Sequence, residues 1–302
     1  MHFIKFLIKA ARILNFHGIP FPDDFQFSEH AAKQSSIGDW LPATTEWRDF
    51  IATALSGRLH ESHAFLDKPY TRKFDLNTGH ILHAAIINKQ GDEWYGQQHS
   101  QHSFDFQGEF LNGRMEDCTK FLDLGGHQML WATFYAKTKK TARVVSVEPS
   151  VLNCLIGLFN CLINSVLDQV TILPVAVSSS VDFRAARGKS SMLVDFMTSE
   201  STLTTCFSLG EGFDFIKCDI EGYEYNLISD QWFIEICRSA KCTHFELHLG
   251  HLKPKGIGPA EVLRALEVAK VLGVHSTSGQ SIREFLSKNP DDGFYSFDLR
   301  PL

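Results

Sequence analysis

Residues 215–224 read FIKCDIEGYE, a short apolar run that ends in closely spaced acids. Its first four residues have the length and composition of a buried strand, and Gly222 marks the turn after it. Asp219 and Glu221 would then stand together at the mouth of a sheet, where two like charges repel unless a cation, a metal or a shared proton intervenes. Stability alone seldom requires such a pair, so the stretch predicts a functional strand end.

Strand-like and helix-like stretches alternate on both sides of this segment. The strand-like runs are 120–124, 142–147, 170–173, 214–218 and 243–249, and the helix-like stretches are 130–137, 150–162 and 223–237. Strands that alternate with helices form a mostly parallel sheet covered by helices on both faces, so the predicted fold class is α/β. Ligands of such sheets bind beyond the carboxyl ends of the strands, and candidate functional residues are sought there.

Two of the earlier predicted strands also end in acids. Residues 121–129 read FLDLGGHQM, in which Asp123 precedes the adjacent glycines Gly125 and Gly126. Adjacent glycines let the backbone turn tightly and approach a ligand. Residues 145–149 read VSVEP, where Glu148 either holds the two hydroxyls of a ribose or is an ordinary first-turn acid that the helix dipole favours.

The last of these strands alternates polar and apolar residues. His244, Glu246 and His248 fall on one face, and Phe245 and Leu247 fall on the other. Neighbours on one face are about 6.6 Å apart along a strand, near enough to converge on one ligand. A polar face turned to solvent would give the same pattern, so both interpretations stay open.

These four stretches, in this order and at this spacing, resemble the FkbM family of S-adenosylmethionine-dependent methyltransferases. The resemblance extends over residues 104–250, with further matches at Asn160, Asn164 and residues 174–177. It implies a class I methyltransferase fold, which is a Rossmann-like, seven-stranded, mostly parallel sheet. It also implies transfer of a methyl group to a hydroxyl, commonly on a sugar, a glycan or a secondary metabolite.

The resemblance also implies which residues bind the cofactor. By position, Asp123 and Gly125 would lie at the methionine end of S-adenosylmethionine, and Glu148 would hold its ribose hydroxyls. The other candidates for this site are Gly126, His127, Asp219 and Glu221.

The first loop departs from the family pattern D-x-G-A-N-x-G at three positions. Gly126 stands for the alanine, His127 for the asparagine and Met129 for the last glycine. Met129 brings a side chain to a place where helix and loop normally approach closely, which would weaken cofactor binding, although Gly126 restores some room. His127 either contacts the carboxylate of the cofactor or is a helix-start histidine without a ligand.

Methyl transfer to a hydroxyl needs a group that removes the proton as the new bond forms. The catalytic candidates are His248, Glu246 and Asp219, and His248 is favoured because the ordinary pKa of imidazole lies nearest the working pH. The alternative is a divalent metal ion, held by Asp219 and Glu246, that lowers the pKa of the hydroxyl. The favoured mechanism includes no metal.

Two other functions stay open on the sequence. The altered glycine loop would suit a non-catalytic protein that binds S-adenosylmethionine or acts as a scaffold. A nucleotide-binding oxidoreductase is built on a similar sheet, but the spacing G-x-G-x-x-G is absent from the first loop and D-x-E-G is present later in the chain.

Composition and charge exclude several classes of protein. The chain has 302 residues, of which 44% are hydrophobic and 21% charged, which is too apolar for a disordered chain. A formal net charge of -6 argues against nucleic acid as a partner. Seven cysteines without a C-x-x-C pair indicate buried thiols in a reducing compartment, and we therefore expect a cytoplasmic protein.

Two domains are predicted. Residues 1–103 form a small mixed N-terminal lobe that helps cover the acceptor site, and residues 104–302 form the methyltransferase domain. Residues 1–16, MHFIKFLIKAARILNF, are interrupted by basic residues too often to span a membrane. They form a helix packed on its own domain or, alternatively, an anchor on a membrane surface.

Two further patterns suggest ligands but have simpler interpretations. Histidine pairs three residues apart are His60/His63, His80/His83, His99/His102 and His248/His251. The first three pairs have no obvious cluster of carboxylates or thiolates beside them, so they are assigned to the surface or the core and not to a metal. The basic segment 184–191 either binds an anionic acceptor or is a solvated loop.

Overall fold

The structure of the chain is a computed structural model. It describes residues 65–76, 79–96, 117–173, 176–178, 203–205, 212–268, 272–276, 280–288 and 294–301. Several predictions lie outside these residues: the segment 1–16, the boundary at 103/104, the histidine pairs at 60/63 and 99/102, and the basic segment 184–191.

The elements of the described residues are numbered in chain order. The strands are β1 Phe65–Leu76, β2 His80–Asn88, β3 Lys120–Leu124, β4 Arg143–Val147, β5 Val170–Leu173, β6 Ala176–Ser178, β7 Leu203–Thr205, β8 Phe215–Cys218, β9 Cys242–His248, β10 Leu272–Ser276 and β11 Phe294–Pro301. The helices are α1 Lys89–Tyr95, α2 Leu130–Thr138, α3 Val151–Ile163, α4 Glu224–Ile228, α5 Gln231–Ser239, α6 Leu249–Leu252, α7 Pro259–Val268 and α8 Ile282–Lys288.

The main sheet of the described residues has seven strands, in the order β10-β11-β9-β8-β3-β4-β5. Strand β3 pairs in parallel with β4 and β8, and β8 pairs in parallel with β9. Strand β11 is antiparallel to both of its neighbours. The prediction of an α/β fold with a mostly parallel sheet is confirmed.

The predicted strands of this sheet agree with the observed ones to within one residue at each end. The helix predicted at 223–237 is instead two helices, α4 and α5. The break lies at Asp230, whose N–H donates to the carbonyl of Leu227 while its own carbonyl accepts from the N–H of Ile234. One helix therefore ends and the next begins at the same residue.

Contacts divide the chain into two compact units, each built from discontinuous segments. The first unit contains β1, β2, α1, α2 and almost all of α3. The second contains β3, β4 and all described elements from β6 onward. Among the described helices we find none with the length and apolar character of a transmembrane span.

In the first unit, two buried asparagines, one within α3 and one directly after it, form hydrogen bonds with the backbone of β2. Asn164 accepts the N–H of His83 at 2.9 Å and donates to the carbonyl of the same residue at 2.7 Å. Asn160 accepts the N–H of Ala85 at 2.8 Å and donates to the carbonyl of Gln128 at 2.9 Å. These side chains satisfy strand groups as a neighbouring strand would.

In the second unit, the apolar face of β9 packs into the core. Phe245 and Leu247 are buried, and the ring of Phe245 lies 5.1 Å from that of Phe297 on β11. The other face of β9, with its histidines and glutamate, lies on the opposite side of the sheet, where His244 is paired in register with Lys217 of β8.

Candidate active site

A buried lysine lies among the charged strand ends of the second unit. The Nζ atom of Lys217 is 3.0 Å from Asp219 Oδ2 and 4.0 Å from Asp123 Oδ1. Burial lowers the pKa of Lys217, but the negative charges of Asp219, Asp123 and Glu246 outweigh burial and raise this pKa. The side chain therefore stays positive. The chain therefore supplies a cation of its own at the acidic strand end.

Asp123 is completely buried at the end of β3. Its Oδ2 atom accepts the hydroxyl of Ser146 at 2.7 Å, which links β3 to β4. Burial raises the pKa of Asp123, while the charge of Lys217 and the Ser146 hydroxyl oppose the rise. Its Oδ1 atom has no hydrogen-bond partner among the described residues.

Asp219 is the more accessible carboxylate on Lys217, with 26% of its side chain exposed. Burial and the negative charge of Glu246 raise the pKa of Asp219 to about 6, although the positive charges of Lys217 and His248 lower it. Glu246 behaves in the opposite way. Burial alone would raise the pKa of Glu246, but the hydrogen bond from His244 and the charge of Lys217 hold this pKa below its usual value.

His248 is oriented by the carboxylate of Glu224, a residue to which the sequence assigned no role. Its Nδ1 atom lies 2.9 Å from Oε1 of Glu224, a fully buried residue that also accepts the N–H groups of Ile220 and Gly222. Burial lowers the pKa of His248, but the hydrogen bond and charge of Glu224, with the charges of Asp219 and Glu221, raise it to about 9. A positive imidazole is a poor proton acceptor at neutral pH. The available signal was the acid at position 224, three residues after Glu221.

The polar face of β9 is not turned to solvent. His244 is buried, with Nδ1 3.2 Å from Oδ1 of Asp298 on β11 and Nε2 3.5 Å from Oε1 of Glu246. Sequence reasoning missed Asp298 because the antiparallel pairing of β11 with β9 joins residues that lie far apart along the chain. The polar face is therefore part of the interior of the second unit.

The glycine loop after β3 lies against β4 and β8. The N–H groups of Gly125 and Gly126 both donate to the carbonyl of Val147, at 2.9 and 3.0 Å. Gly125 has a φ of 81°, and a Cβ atom there would overlap the carbonyl oxygen of Asp219. Glycine is required at this position because the loop and the Asp219 backbone touch.

Glu148 is buried just after β4. Its Oε1 atom accepts the N–H of Ser150 at 2.8 Å, so the carboxylate satisfies a donor at the start of α3. Glu148 precedes the first turn of α3, which contains no acidic residue, so the structure does not place it as a first-turn acid. A role in holding ribose hydroxyls stays a prediction.

The remaining loop positions, His127 and Met129, belong to the first unit. His127 Nδ1 lies 2.9 Å from the hydroxyl of Tyr95. Met129 has a φ of 57° and is fully buried, and its Cγ atom occupies the space that a Cβ atom on residue 157 would need. The absence of a side chain at Gly157 therefore leaves room for Met129, which the sequence predicted to crowd the loop.

Comparison with known proteins gives one family. A model described as the methyltransferase FkbM domain matches residues 123–288, which is more than half of the chain. No curated protein matches the sequence.

Solved structures with a similar chain include two O-methyltransferases and a domain crystallised in the presence of SAH. The O-methyltransferase TomG from Streptomyces achromogenes, involved in tomaymycin synthesis and in complex with SAM, is 13% identical over 65% of this chain and 80% of its own, with a TM-score of 0.39. An O-methyltransferase from Bacillus cereus in complex with SAH is 13% identical over 89% and 99%, with a TM-score of 0.38. The N-terminal domain of EvdMO1, in the presence of SAH and D-fucose, is 11% identical over 65% and 82%, with a TM-score of 0.38.

Proposed function

The chain belongs to the FkbM family of S-adenosylmethionine-dependent methyltransferases, and we propose that it transfers the methyl group to a hydroxyl of a sugar, a glycan or a secondary metabolite. The observation that supports this proposal is the cluster of carboxylates around Lys217, which lies at the strand ends within the matched residues. A hydroxyl acceptor must lose a proton as its oxygen attacks, and a carboxylate beside it can take that proton. Family membership excludes the oxidoreductase.

Asp123 fits the methionine end of the cofactor. Its Oδ1 atom is buried without a hydrogen-bond partner among the described residues, and the ammonium group at that end of S-adenosylmethionine carries N–H donors. Glu148 would accept hydrogen bonds from the ribose hydroxyls. When bound, the cofactor supplies an electrophilic methyl group on a sulfonium.

Asp219 is the residue that we assign to accept the hydroxyl proton. Asp123 is assigned to the cofactor, and the oxygens of Glu224 are engaged by two backbone N–H groups and by His248. Glu246 is engaged by His244, whereas Asp219 is a quarter exposed and is fixed by Lys217 through Oδ2. Lys217 is therefore a positioning residue that holds the Asp219 side chain at the end of β8.

The scaffold alternative was based on the altered glycine loop, in which Met129 was expected to weaken cofactor binding. Because Gly157 accommodates that side chain, the described residues offer no observation in favour of a scaffold. We place the enzyme in the cytoplasm, which is supported by the six described cysteines, all of them buried and free of disulfides.

Calorimetric titration with S-adenosylhomocysteine tests the cofactor site without requiring the acceptor. Glu148→Ala should weaken binding at least about tenfold, since it removes an acceptor for two hydroxyl groups. Glu235→Ala, which removes an exposed glutamate of α5, is the matched control and should bind like the parent. A parent chain that does not bind S-adenosylhomocysteine would overturn the proposal, and unchanged binding by Glu148→Ala would overturn the ribose assignment.

The acceptor is tested by a panel of sugars, glycans and small hydroxyl compounds, with formation of S-adenosylhomocysteine as the readout. Asp219→Asn should lower turnover of an active acceptor by roughly 10²- to 10⁴-fold, the usual contribution of a general base. Unchanged turnover would remove Asp219 from this role. Methylation confined to nitrogen or carbon acceptors would overturn the hydroxyl proposal.

A further inference from the structure

Nε2 of His248 and Oδ1 of Asp219 face each other across 3.8 Å where β9 and β8 end. This distance is too long for a direct hydrogen bond, but one oxygen atom placed beside the two can lie about 2.8 Å from each. Both side chains are partly exposed, 16% for His248 and 26% for Asp219. An oxygen of an incoming molecule can therefore reach both atoms.

Each of these side chains is fixed at its other polar atom by a buried partner. Nδ1 of His248 lies 2.9 Å from Oε1 of Glu224, whose side chain is fully buried. Oδ2 of Asp219 lies 3.0 Å from Nζ of Lys217, whose side chain is 2% exposed. Nε2 and Oδ1 are thus directed toward one another before an acceptor binds, which lowers the cost of ordering the site.

The two facing atoms have complementary roles in hydrogen bonding. Burial lowers the pKa of His248, but Glu224, Asp219 and Glu221 raise it to about 9, so each ring nitrogen carries a proton at neutral pH. Nε2 is then a donor, and the Asp219 carboxylate, with a pKa of about 6, is an acceptor. A hydroxyl group matches this pair, because its oxygen accepts one hydrogen bond while its proton forms the other.

A metal ion fits the same position less well. Asp219, Glu224 and His248 each offer a possible ligand atom, and these atoms lie within 4.8 Å of one another. However, the oxygens of Glu224 already accept two backbone N–H groups and face Nδ1 of His248. Lys217 and the protonated imidazole also place two positive charges beside Asp219, which disfavours a third.

We propose that the acceptor hydroxyl binds between Nε2 of His248 and Oδ1 of Asp219, and that His248 donates a hydrogen bond to the attacking oxygen. This inference rests on the proposed methyl transfer. As the oxygen bonds to the methyl carbon and the carbon–sulfur bond breaks, the hydroxyl proton passes to Oδ1 of Asp219 and the electron pair of the broken bond stays on sulfur. His248 keeps its own proton and stabilises the negative charge that develops on the oxygen.

Two amide variants of His248 separate its two nitrogen atoms. Asparagine places an amide nitrogen where Nδ1 lies and can still donate to Glu224, whereas glutamine places one near Nε2. With the acceptor panel, which includes D-glucose and catechol, His248→Asn should lower kcat about 10²- to 10³-fold with a smaller change in KM, since the hydrogen bond strengthens as charge develops. His248→Gln should recover part of this loss. His80→Asn, in the first unit, is the matched control and should turn over like the parent.

The double variant His248→Asn/Asp219→Asn tests whether both side chains act on the same oxygen. Its loss in kcat should be far smaller than the product of the two single losses, because residues that act as a unit are not additive. Exhaustive chelation should leave kcat of the parent unchanged. Multiplicative losses would overturn the shared hydroxyl site, as would activity that chelation abolishes and Zn²⁺ restores.

Calorimetric binding of S-adenosylhomocysteine on the same samples shows whether each variant keeps the folded cofactor site. If His248→Asn does not bind it, His248→Phe, which keeps a planar ring without N–H donors, replaces it in the same assays. A parent that methylates no hydroxyl acceptor would overturn the proposed function and this inference with it. Hydroxyl methylation that is equally fast in the parent and the His248 variant would overturn this inference alone.

Discussion

Met129 and Gly157 share one space in the first unit: Cγ of Met129 lies where a side chain on residue 157 would begin. Met129 holds a left-handed backbone conformation that glycine adopts most easily, and it is fully buried. The glycine that the loop lacks is thus compensated by a glycine in the helix beside it.

We expect Gly157→Ala to lower the free energy of unfolding by about 1–3 kcal/mol, because the new methyl group overlaps Met129 in a packed core. Removing the methionine side chain as well, in Met129→Gly/Gly157→Ala, should recover part of the loss. Urea unfolding of the parent, both single variants and the double variant measures this coupling. Strictly additive losses would show that the two residues do not compete for the space.

Asn164→Ala should destabilise the first unit by about 1–3 kcal/mol for each of the two His83 backbone groups that it leaves unpaired. Amide exchange at His83 should accelerate, because its N–H loses the side-chain acceptor. Gln231→Ala, an exposed position on α5, is the comparison and should stay within about 0.5 kcal/mol of the parent. Unchanged exchange at His83 would contradict the proposed role of Asn164.

Lys217→Met should lower the free energy of unfolding by about 3–5 kcal/mol, because it leaves buried carboxylates without their cation. The loss should shrink as the pH falls from neutral to mildly acid conditions. Without Lys217 the pKa of Asp123 rises further above its unfolded value, so the ionised form destabilises the fold, and protonation relieves that penalty.

Lys241→Met is the control for that experiment. Its ammonium group donates to the carbonyl of Asp117 at the surface, so its loss should be small and the same across this pH range. A pH-independent loss for Lys217→Met would argue against the charge balance described here.

Asp214 provides a second test of pH dependence, away from the site. Burial would raise its pKa, but the N–H groups of Thr119 and Lys120 lower it below the ordinary value. A lowered folded pKa adds stability above the unfolded pKa of about 3.9, and this stability is lost as the pH falls through the folded value.

The parent should therefore be more stable than Asp214→Asn at neutral pH, and the difference should disappear under acid conditions. The difference should be small because Asp214 is well solvated. Chemical denaturation of both proteins from about pH 7 to pH 3 measures it. A difference that persists unchanged into acid would show that the carboxylate charge does not stabilise the β3 end.

Five of the seven described strands of the main sheet were predictable because each is a short apolar run with a polar boundary, as in residues 120–124, whereas β10 and β11 were not predicted. The positions of Asp123, Asp219 and Glu246 at the strand ends followed from the same reasoning. The role of Lys217 did not, since a lysine within an apolar strand gives no sign of which carboxylates it will meet. The role of Asp298 could not be predicted for a related reason, because only the long-range pairing of β11 with β9 brings it next to His244.

The favoured base illustrates a different limit. The ordinary pKa of imidazole pointed to His248, but the sequence does not show that the negative charges of Glu224, Asp219 and Glu221 surround that ring and raise its pKa to about 9. Which residue takes the proton depends on neighbours in space, and the assignment of Asp219 became arguable only when exposure and contacts were known.

The ammonium group of Lys217 is covalently part of the polypeptide. In this it differs from a metal ion, which the enzyme would have to bind from solution. The ammonium group cannot be diluted, chelated or exchanged for a competing cation. Because Lys217 and Asp123 are both buried, salt screens their attraction far less than it screens surface pairs such as Arg264 with Glu261. The electrostatic environment of the strand ends should therefore be constant across the ionic conditions of a cell.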